Sequence, residues 1–280
     1  IEAATKIPTF GFATNGMHSY TVGAGMALSA IAERFCDPDI KPVVSERTRL
    51  NILGVTPLDF SITGNAAAVK NYFIENGFEV QSVWSMDSSW EEMMDSGRAN
   101  VNVVVSSCGL PLAKKLKKIY GTPYVVGIPT GKKFAAHLTE EIKRAAERCV
   151  DINAVACRCE NGGGKKIYVV GEAVWAMSVA SALRCDFDFA NVSAIAAEDG
   201  GENLLGERDL YLLNEDDIFA QLKDADAVVA DPLFKPALRG RDASFIAFPH
   251  EGYSGRIFRR DIPMMVGGAL NSWFEGEINK

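Results

Sequence analysis

Short apolar runs alternate with segments of helical periodicity along most of the chain. In the first part, this alternation predicts strands at 7–12, 50–55, 79–84, 101–106 and 123–128. The intervening segments predict helices at 21–35, 65–76, 88–97, 111–120 and 139–150, with Asn65 and Thr139 as N-caps. Strands that alternate with helices are typical of a parallel sheet covered on both faces. The β-branched strand that begins at Val101 fits such burial.

The same pattern restarts after Asn161-Gly-Gly-Gly164, the segment most typical of a linker. It predicts strands at 166–171, 192–196, 227–230 and 244–248, and helices at 173–183 and 216–222. The sequence therefore predicts an α/β protein with two doubly wound, Rossmann-like domains whose sheets are mostly parallel. Residues 1–160 would form a first domain of five strand–helix units. Residues 161–280 would form a smaller domain whose C-terminal loop and tail return to the cleft.

Composition narrows the classes of function. The 280 residues are 48% hydrophobic and 23% charged, which is typical of a globular protein. The net charge of −7, without a dense Lys/Arg cluster, argues against nucleic acid, and no apolar run approaches the roughly 20 residues of a membrane span. Six scattered cysteines predict no disulfide framework and favour a reducing cytoplasm. A start at Ile1 without a signal pattern predicts a fragment or a trimmed chain.

Three motifs resemble known sites but do not fit them. Gly23-Ala-Gly-Met-Ala-Leu28 has leucine in place of the third glycine of a dinucleotide fingerprint. Gly127-Ile-Pro-Thr-Gly-Lys-Lys133 is one residue too short for a P-loop and has lysine at the magnesium-binding Ser/Thr position. Cys157-Arg-Cys159 has no second ligand pair at zinc-finger spacing, which favours a loop of small residues.

Two side chains at predicted strand ends are candidates for chemistry. Cys108 follows the strand at 101–106, and His250 lies in a Gly/Pro-rich loop after the strand at 244–248. Because doubly wound sheets bind ligands at their carboxyl ends, a thiolate at the following helix N-terminus and an imidazole would suit a transition-metal centre in the inter-domain cleft. A small buried cysteine and a solvated histidine are the alternatives. His18 would face the same crevice, whereas His137 is interpreted as structural.

The chain as a whole resembles the nitrogenase component 1 family. The similarity rests on these segments: Ile1-Glu-Ala-Ala-Thr5, Leu50-Asn-Ile-Leu-Gly54, Gly77-Phe-Glu-Val80, the run from Asn100 to Cys108, Leu116-Lys-Lys-Ile-Tyr120 with Gly-Thr-Pro-Tyr124, Gly164-Lys-Lys-Ile-Tyr168, and Ala247-Phe-Pro-His-Glu-Gly-Tyr-Ser-Gly255. The first of these resembles the segment that follows the last cluster cysteine of the family's first domain. The resemblance therefore implies that the chain carries the family's second and third domains only.

The resemblance also implies a site and its partners. Cys108 would supply the thiolate and His250 the imidazole of an iron–sulfur or iron–molybdenum-type cluster, although without a gap Ser106 or Val105 takes the cysteine position. The resemblance places Tyr253 in the imidazole loop, and Ser254, Gly255 and Arg256 would lie near the cluster. Arg256 as a plain surface cation is the alternative. An ATP-dependent iron–sulfur reductase would donate electrons, and a like component 1 subunit would pair with the chain.

The resemblance leaves several functions open. The lead hypothesis is an oxidoreductase subunit or a cluster-assembly scaffold, inactive as an isolated fragment. Other family relatives take tetrapyrroles instead of clusters. A two-lobed binding protein for a metal chelate or tetrapyrrole, and a non-catalytic pairing subunit of the same fold, are the alternatives.

Overall fold

The computed structural model describes residues 1–13, 16–156 and 164–278. Its strands are β1 Arg49–Leu53, β2 Glu79–Val83, β3 Val101–Val104, β4 Tyr124–Val126, β5 Ile152–Asn153, β6 Ile167–Gly171, β7 Val192–Ala196, β8 Leu210–Tyr211, β9 Ala227–Ala230 and β10 Ser244–Ala247. Its α-helices are α1 Glu2–Thr5, α2 Tyr20–Phe35, α3 Pro57–Phe60, α4 Asn65–Glu75, α5 Trp90–Met94, α6 Gly109–Tyr120, α7 Lys133–Arg148, α8 Ala173–Phe187, α9 Glu215–Gln221, α10 Glu251–Ser254 and α11 Gly268–Ile278.

The strands form two five-stranded sheets, and the pairings of neighbouring strands within each sheet are parallel. The first sheet has the order β2-β1-β3-β4-β5 and the second β10-β9-β6-β7-β8. Both are doubly wound, which confirms the predicted α/β, Rossmann-like fold class. The division at residues 160 and 161 stays a prediction. Residues 161–163 of the proposed linker, which runs to Gly164, and the pair Cys157 and Cys159 lie outside the described residues.

The prediction of a strand at 7–12 is wrong. These residues have no sheet neighbour, and Ile7 is 64% exposed. Pro8 also removes a backbone donor that a ladder would use. The fifth strand of the first sheet is instead β5, whose two residues are too short to give a periodic signal.

Helix α7 begins six residues earlier than Thr139, its predicted cap. The carboxylate of Asp186 accepts the backbone N–H groups of Lys132, Lys133 and Phe134 and so caps the helix from the end of α8. Thr139 lies inside α7, where its hydroxyl donates to the carbonyl of Ala135. A cap supplied from a distant part of the chain leaves no local sequence signal.

Helix α8 joins the two sheets through a shared apolar core. Residues 173–183 of this helix are all buried, and the apolar ones pack in one cluster with core residues of both sheets. Its polar side chains also bridge the halves. The Ser178 hydroxyl accepts the N–H of Ile128 at 3.0 Å, and Ser181 donates to the carbonyl of Val155 at 3.1 Å.

No helix within the described ranges is long and apolar enough to cross a membrane.

The start of α6 lies close to the end of β1. A Cβ added at Gly109, the first residue of α6, would lie 2.6 Å from the carbonyl oxygen of Leu53 and 3.0 Å from the nitrogen of Gly54. Gly54 has a φ of +91°, which an L side chain rarely adopts. Two glycines therefore allow the start of α6 to approach the end of β1 closely.

The Gly109→Ala substitution is expected to lower the free energy of unfolding by about 3 kcal/mol, because backbone atoms must move to accept the new methyl group. Chemical denaturation would measure the loss. Gly23→Ala is the matched control, since a Cβ at Gly23 in α2 meets no atom within 4 Å. That change should be neutral or stabilising. Equal effects of the two substitutions would contradict the close approach.

Candidate functional site

The carboxyl ends of the central strands of both sheets lie near one shared group of buried side chains. Strand order reverses between β1 and β3 in the first sheet and between β6 and β9 in the second, and ligands of doubly wound folds bind at such points. The side chains that follow the strand ends there are Asp59, Cys108, Glu172 and Asp231, joined by Glu198 after β7 and His250 after β10. We call Asp59, Cys108, Glu172, Glu198, His250 and Tyr253 the inter-sheet cluster.

Asp59 and His250 connect the two halves of the chain. Their side chains are each only 5% exposed, and Oδ1 of Asp59 lies 3.5 Å from Nε2 of His250. Asp59 also accepts hydrogen bonds from the hydroxyls of Tyr20 and Thr56, the latter at 2.6 Å. Burial lowers the pKa of His250, but the hydrogen bond and charge of Asp59 outweigh it and raise that pKa above its ordinary value.

Backbone contacts fix the orientation of the His250 ring. Its Nδ1 accepts the N–H of Gly252 at 3.1 Å, so the imidazole caps α10 and directs Nε2 at Asp59. The backbone N–H of His250 donates to Oδ2 of Asp231 at 2.8 Å, and the Ser254 hydroxyl donates to the same oxygen at 2.7 Å. Asp231 therefore positions the loop that carries the imidazole.

Glu172 links the end of β6 to the loop after β3. Its carboxylate accepts the N–H of Ser107 at 2.8 Å and the N–H of Trp175 at 2.9 Å, the second as the N-cap of α8. The side chain is buried. Burial and the charge of Asp59 raise the pKa of Glu172, whereas the two N–H donors lower it and leave a net increase.

Glu198 is a buried carboxyl group with one oxygen that accepts no hydrogen bond from the described part of the chain. It is 6% exposed, and its Oε2 has no hydrogen-bond partner among the described residues. Burial first, and Glu172 second, raise its pKa to about 8. Burial and the Glu198 charge hold the pKa of Tyr253 well above its usual range. At neutral pH the cluster therefore holds Glu198 as a carboxylic acid that can donate a proton, and Tyr253 as a neutral phenol.

Cys108 belongs to the same cluster as a thiol. It is 1% exposed, and the hydroxyl of Ser106 donates to its sulfur at 3.3 Å. Its Sγ lies 3.8 Å from the carbonyl oxygen of Gly54. Burial first and the charge of Asp59 second hold the pKa of Cys108 well above the usual range, so the expected stabilisation of a thiolate by α6 is outweighed.

The structure brings some sequence-predicted residues together and leaves others apart. Cys108, Ser106, His250 and Tyr253 meet at the inter-sheet cluster, whereas the remaining four lie around it. His18 is 59% exposed and 3.6 Å from Asp199, Ser254 binds Asp231, Gly255 ends α10 with a φ of +60°, and Arg256 is exposed.

The carboxylates were missed by sequence reasoning, which weighed only cysteine and histidine as ligands. Glu172 and Asp231 each follow a predicted strand directly, so their position at a strand end was a usable signal. Within 1–13, 16–156 and 164–278, no group of three or more His, Cys, Asp or Glu side chains could hold a metal ion. The inter-sheet cluster combines buried carboxyl groups with one thiol and one imidazole.

Known proteins match both the sequence and the fold. The family model described as nitrogenase component 1 type oxidoreductase matches residues 2–226. The nitrogenase iron-molybdenum cofactor biosynthesis protein NifE of Clostridium pasteurianum is 29% identical over 119 residues, 42% of this chain and 25% of that protein. A light-independent protochlorophyllide reductase subunit of Synechococcus sp. (strain JA-3-3Ab) is 26% identical over 162 residues, 51% of this chain and 32% of that protein.

The fold similarity extends over nearly the whole chain. The solved structure of "Nitrogenase Cp1 at pH 6.5" superposes with a TM-score of 0.60 at 13% identity and covers 99% of this chain and 69% of that one. The matches to the curated relatives, by contrast, span only a quarter to a third of each relative's length. Since the family model covers most of the chain, this protein belongs to the nitrogenase component 1 type oxidoreductase family.

Proposed function

We propose that the chain is a subunit of a nitrogenase-like reductase that presents a reducible organic substrate, of the tetrapyrrole class, to the inter-sheet cluster. An ATP-dependent iron–sulfur reductase would supply the electrons, and a like subunit would complete the assembly. The observation that carries the proposal is the set of buried carboxyl groups around Cys108 and His250. Similarity to the light-independent protochlorophyllide reductase supports the class of substrate.

The residues present do not fit an iron–sulfur or iron–molybdenum-type cluster. Iron–sulfur clusters are commonly held by four cysteine thiolates, whereas Cys108 is the one cysteine in the inter-sheet cluster. The charged neighbours that act on it are carboxylates, namely Asp59, Glu172 and Glu198. Arg256, which the resemblance places beside the cluster, is exposed. Negative charge around an anionic cluster would be repulsive, so we assign no step to one.

The cluster suits proton delivery during reduction. Adding two electrons to a conjugated double bond requires two protons, one for each new C–H bond. Glu198, with a pKa of about 8, is a carboxylic acid at neutral pH. Its Oε2 has no hydrogen-bond partner among the described residues, so this oxygen is available to interact with a substrate. The charge of Asp59 raises the pKa of Glu198 further, which helps to keep its proton in place at neutral pH. General acids placed in this way typically contribute a 10²–10⁴-fold rate increase.

Iron and sulfide analysis of the anaerobically purified protein, with and without its partner subunit, tests the proposal. The expected result is no iron dependent on Cys108, together with saturable binding of protochlorophyllide that follows the tetrapyrrole absorbance. With the reductase and ATP present, Glu198→Gln should lower kcat at least about 100-fold and change KM little. The exposed Glu202→Gln is the control.

Two outcomes would overturn the proposal. Iron and sulfide present in the parent and lost in Cys108→Ala would establish a cluster site. Reduction by the chain without any reductase would remove the need for an electron-donating partner.

A further inference from the structure

A second feature lies beside the inter-sheet cluster. An open cavity of about 540 Å³ is lined by residues of α2, of α6 and of the loop 199–203. Its apolar wall includes Phe12, Val22, Met26 and Leu110. Volumes of this size, with apolar walls and few polar groups, are typical of sites for small molecules.

Close packing of α2 against the start of α6 shapes one end of this cavity. A Cβ added at Gly25 would lie 3.0 Å from the ring of Pro111 and 3.1 Å from the carbonyl oxygen of Cys108. Gly25 therefore allows the close packing of α2 against the start of α6. The adjacent turn of α2, with Met26 and Ala30, is left to line the open part of the cavity.

An unsatisfied polar group lies at the inner wall. Ser107 is only 3% exposed, and its Oγ has no hydrogen-bond partner among the described residues. A Cβ added at Gly200, on the facing loop, would lie 3.9 Å from that oxygen. A buried hydroxyl left without a partner costs stability, so its presence beside a cavity points to a ligand that completes it.

The charges at the rim favour one class of ligand. Asp199 and Glu202 line the cavity on the loop side, and Lys114 lines it on the α6 side. Glu33 is neutralised by Lys115 at 2.9 Å. The remaining balance is one negative charge, which favours a neutral or cationic molecule over an anionic one.

We infer that this cavity binds a neutral or cationic amphipathic small molecule. Its apolar body would lie between Met26 and Leu110, and a hydrogen-bonding group would meet the Ser107 hydroxyl. This inference goes beyond the proposed reduction, because binding needs neither the reductase nor the inter-sheet acids. The backbone N–H of Ser107 is held by Glu172, so the ligand and the cluster share one residue.

Fluorescence titration of the full chain with Nile red, a neutral apolar dye with a carbonyl acceptor, tests the inference. Saturable binding of one dye per chain is expected, at least about tenfold tighter than that of the anionic dye 1-anilinonaphthalene-8-sulfonate. Ala30→Trp should fill the cavity and weaken Nile red at least tenfold. Ala67→Trp, at an exposed position of α4, should leave binding unchanged.

Two further variants distinguish a loss of dye binding from a loss of folding. Met26→Glu changes a side chain that is 37% exposed, so the fold should tolerate it while Nile red binding falls. Ser107→Ala should weaken the dye about fivefold, as expected for one hydrogen bond, and raise the thermal midpoint because an unpartnered hydroxyl is removed. Equal Nile red binding by the parent, Ala30→Trp and Met26→Glu, or tighter binding of the anionic dye, would overturn the inference. Either result would leave the reductase-dependent activity of the proposed function unaffected.

Discussion

The Asp59→Ala substitution is expected to lower the free energy of unfolding by about 4 kcal/mol. It removes the acceptor of the Tyr20 and Thr56 hydroxyls and the ion-pair partner of His250 Nε2. A buried donor left without an acceptor costs roughly 1–3 kcal/mol, and two hydroxyl donors lose their acceptor together with the charge that faces His250. Because His250 follows a strand of the second sheet, the change also removes one of the contacts between the halves.

Chemical denaturation at pH 7, followed by circular dichroism, would measure the loss. Tyr20→Phe removes one of the two hydroxyl donors and should cost only about 1 kcal/mol. The exposed Asp242→Ala should stay within about 0.5 kcal/mol of the parent. If Asp59→Ala were as stable as Asp242→Ala, the contacts of Asp59 would contribute nothing to the free energy of unfolding.

The same position controls the ionisation of His250. In Asp59→Asn the shape is kept and the charge is lost, so burial becomes the dominant influence and the pKa of His250 should fall below its ordinary value. The chain has three histidines, which makes the imidazole titration by nuclear magnetic resonance simple to assign. An unchanged pKa would show that Asp59 does not act on the ring.

The fold class was predictable because its signal is local and repeated. Strands such as Val101–Val104 and Ala227–Ala230 are short, mostly apolar runs, and each is followed by a turn or a helical segment. Burial on both faces imposes that composition on every central strand. Edge elements such as β5, with two residues, carry no such constraint and were missed.

The approach of Cys108 and His250 to one edge of the two sheets was predictable, but the groups that surround them were not. Cys108 and His250 were found because they follow strands, and the carboxyl ends of parallel strands meet at one edge. Their partners are set by contacts between residues far apart in sequence, as Asp59 with His250 and Ser107 with Glu172 show. Protonation depends on that burial, so a thiol and a raised carboxyl pKa could not be inferred from residue type.

Glu198 should make the stability of the protein depend strongly on pH. Its pKa is about 8 in the folded chain against an ordinary 4.5, so between these values the folded state binds one proton more than the unfolded state. Stability that is present in full below pH 4.5 is therefore lost as the pH rises toward 8, by up to about 1.4 kcal/mol per pH unit. His250, whose pKa is also raised, acts in the same direction.

Glu198→Gln keeps the shape and removes the ionisation. Relative to the parent, this variant should gain up to about 3 kcal/mol of stability between pH 5.5 and 7.5, measured by urea denaturation at each pH. Glu202→Gln, an exposed change in the adjoining loop, should follow the pH dependence of the parent. Parallel curves for the parent and Glu198→Gln would mean that Glu198 is ionised at neutral pH. It would then lack the proton that the proposed reduction requires, so one titration tests both the electrostatics of the cluster and its role as an acid.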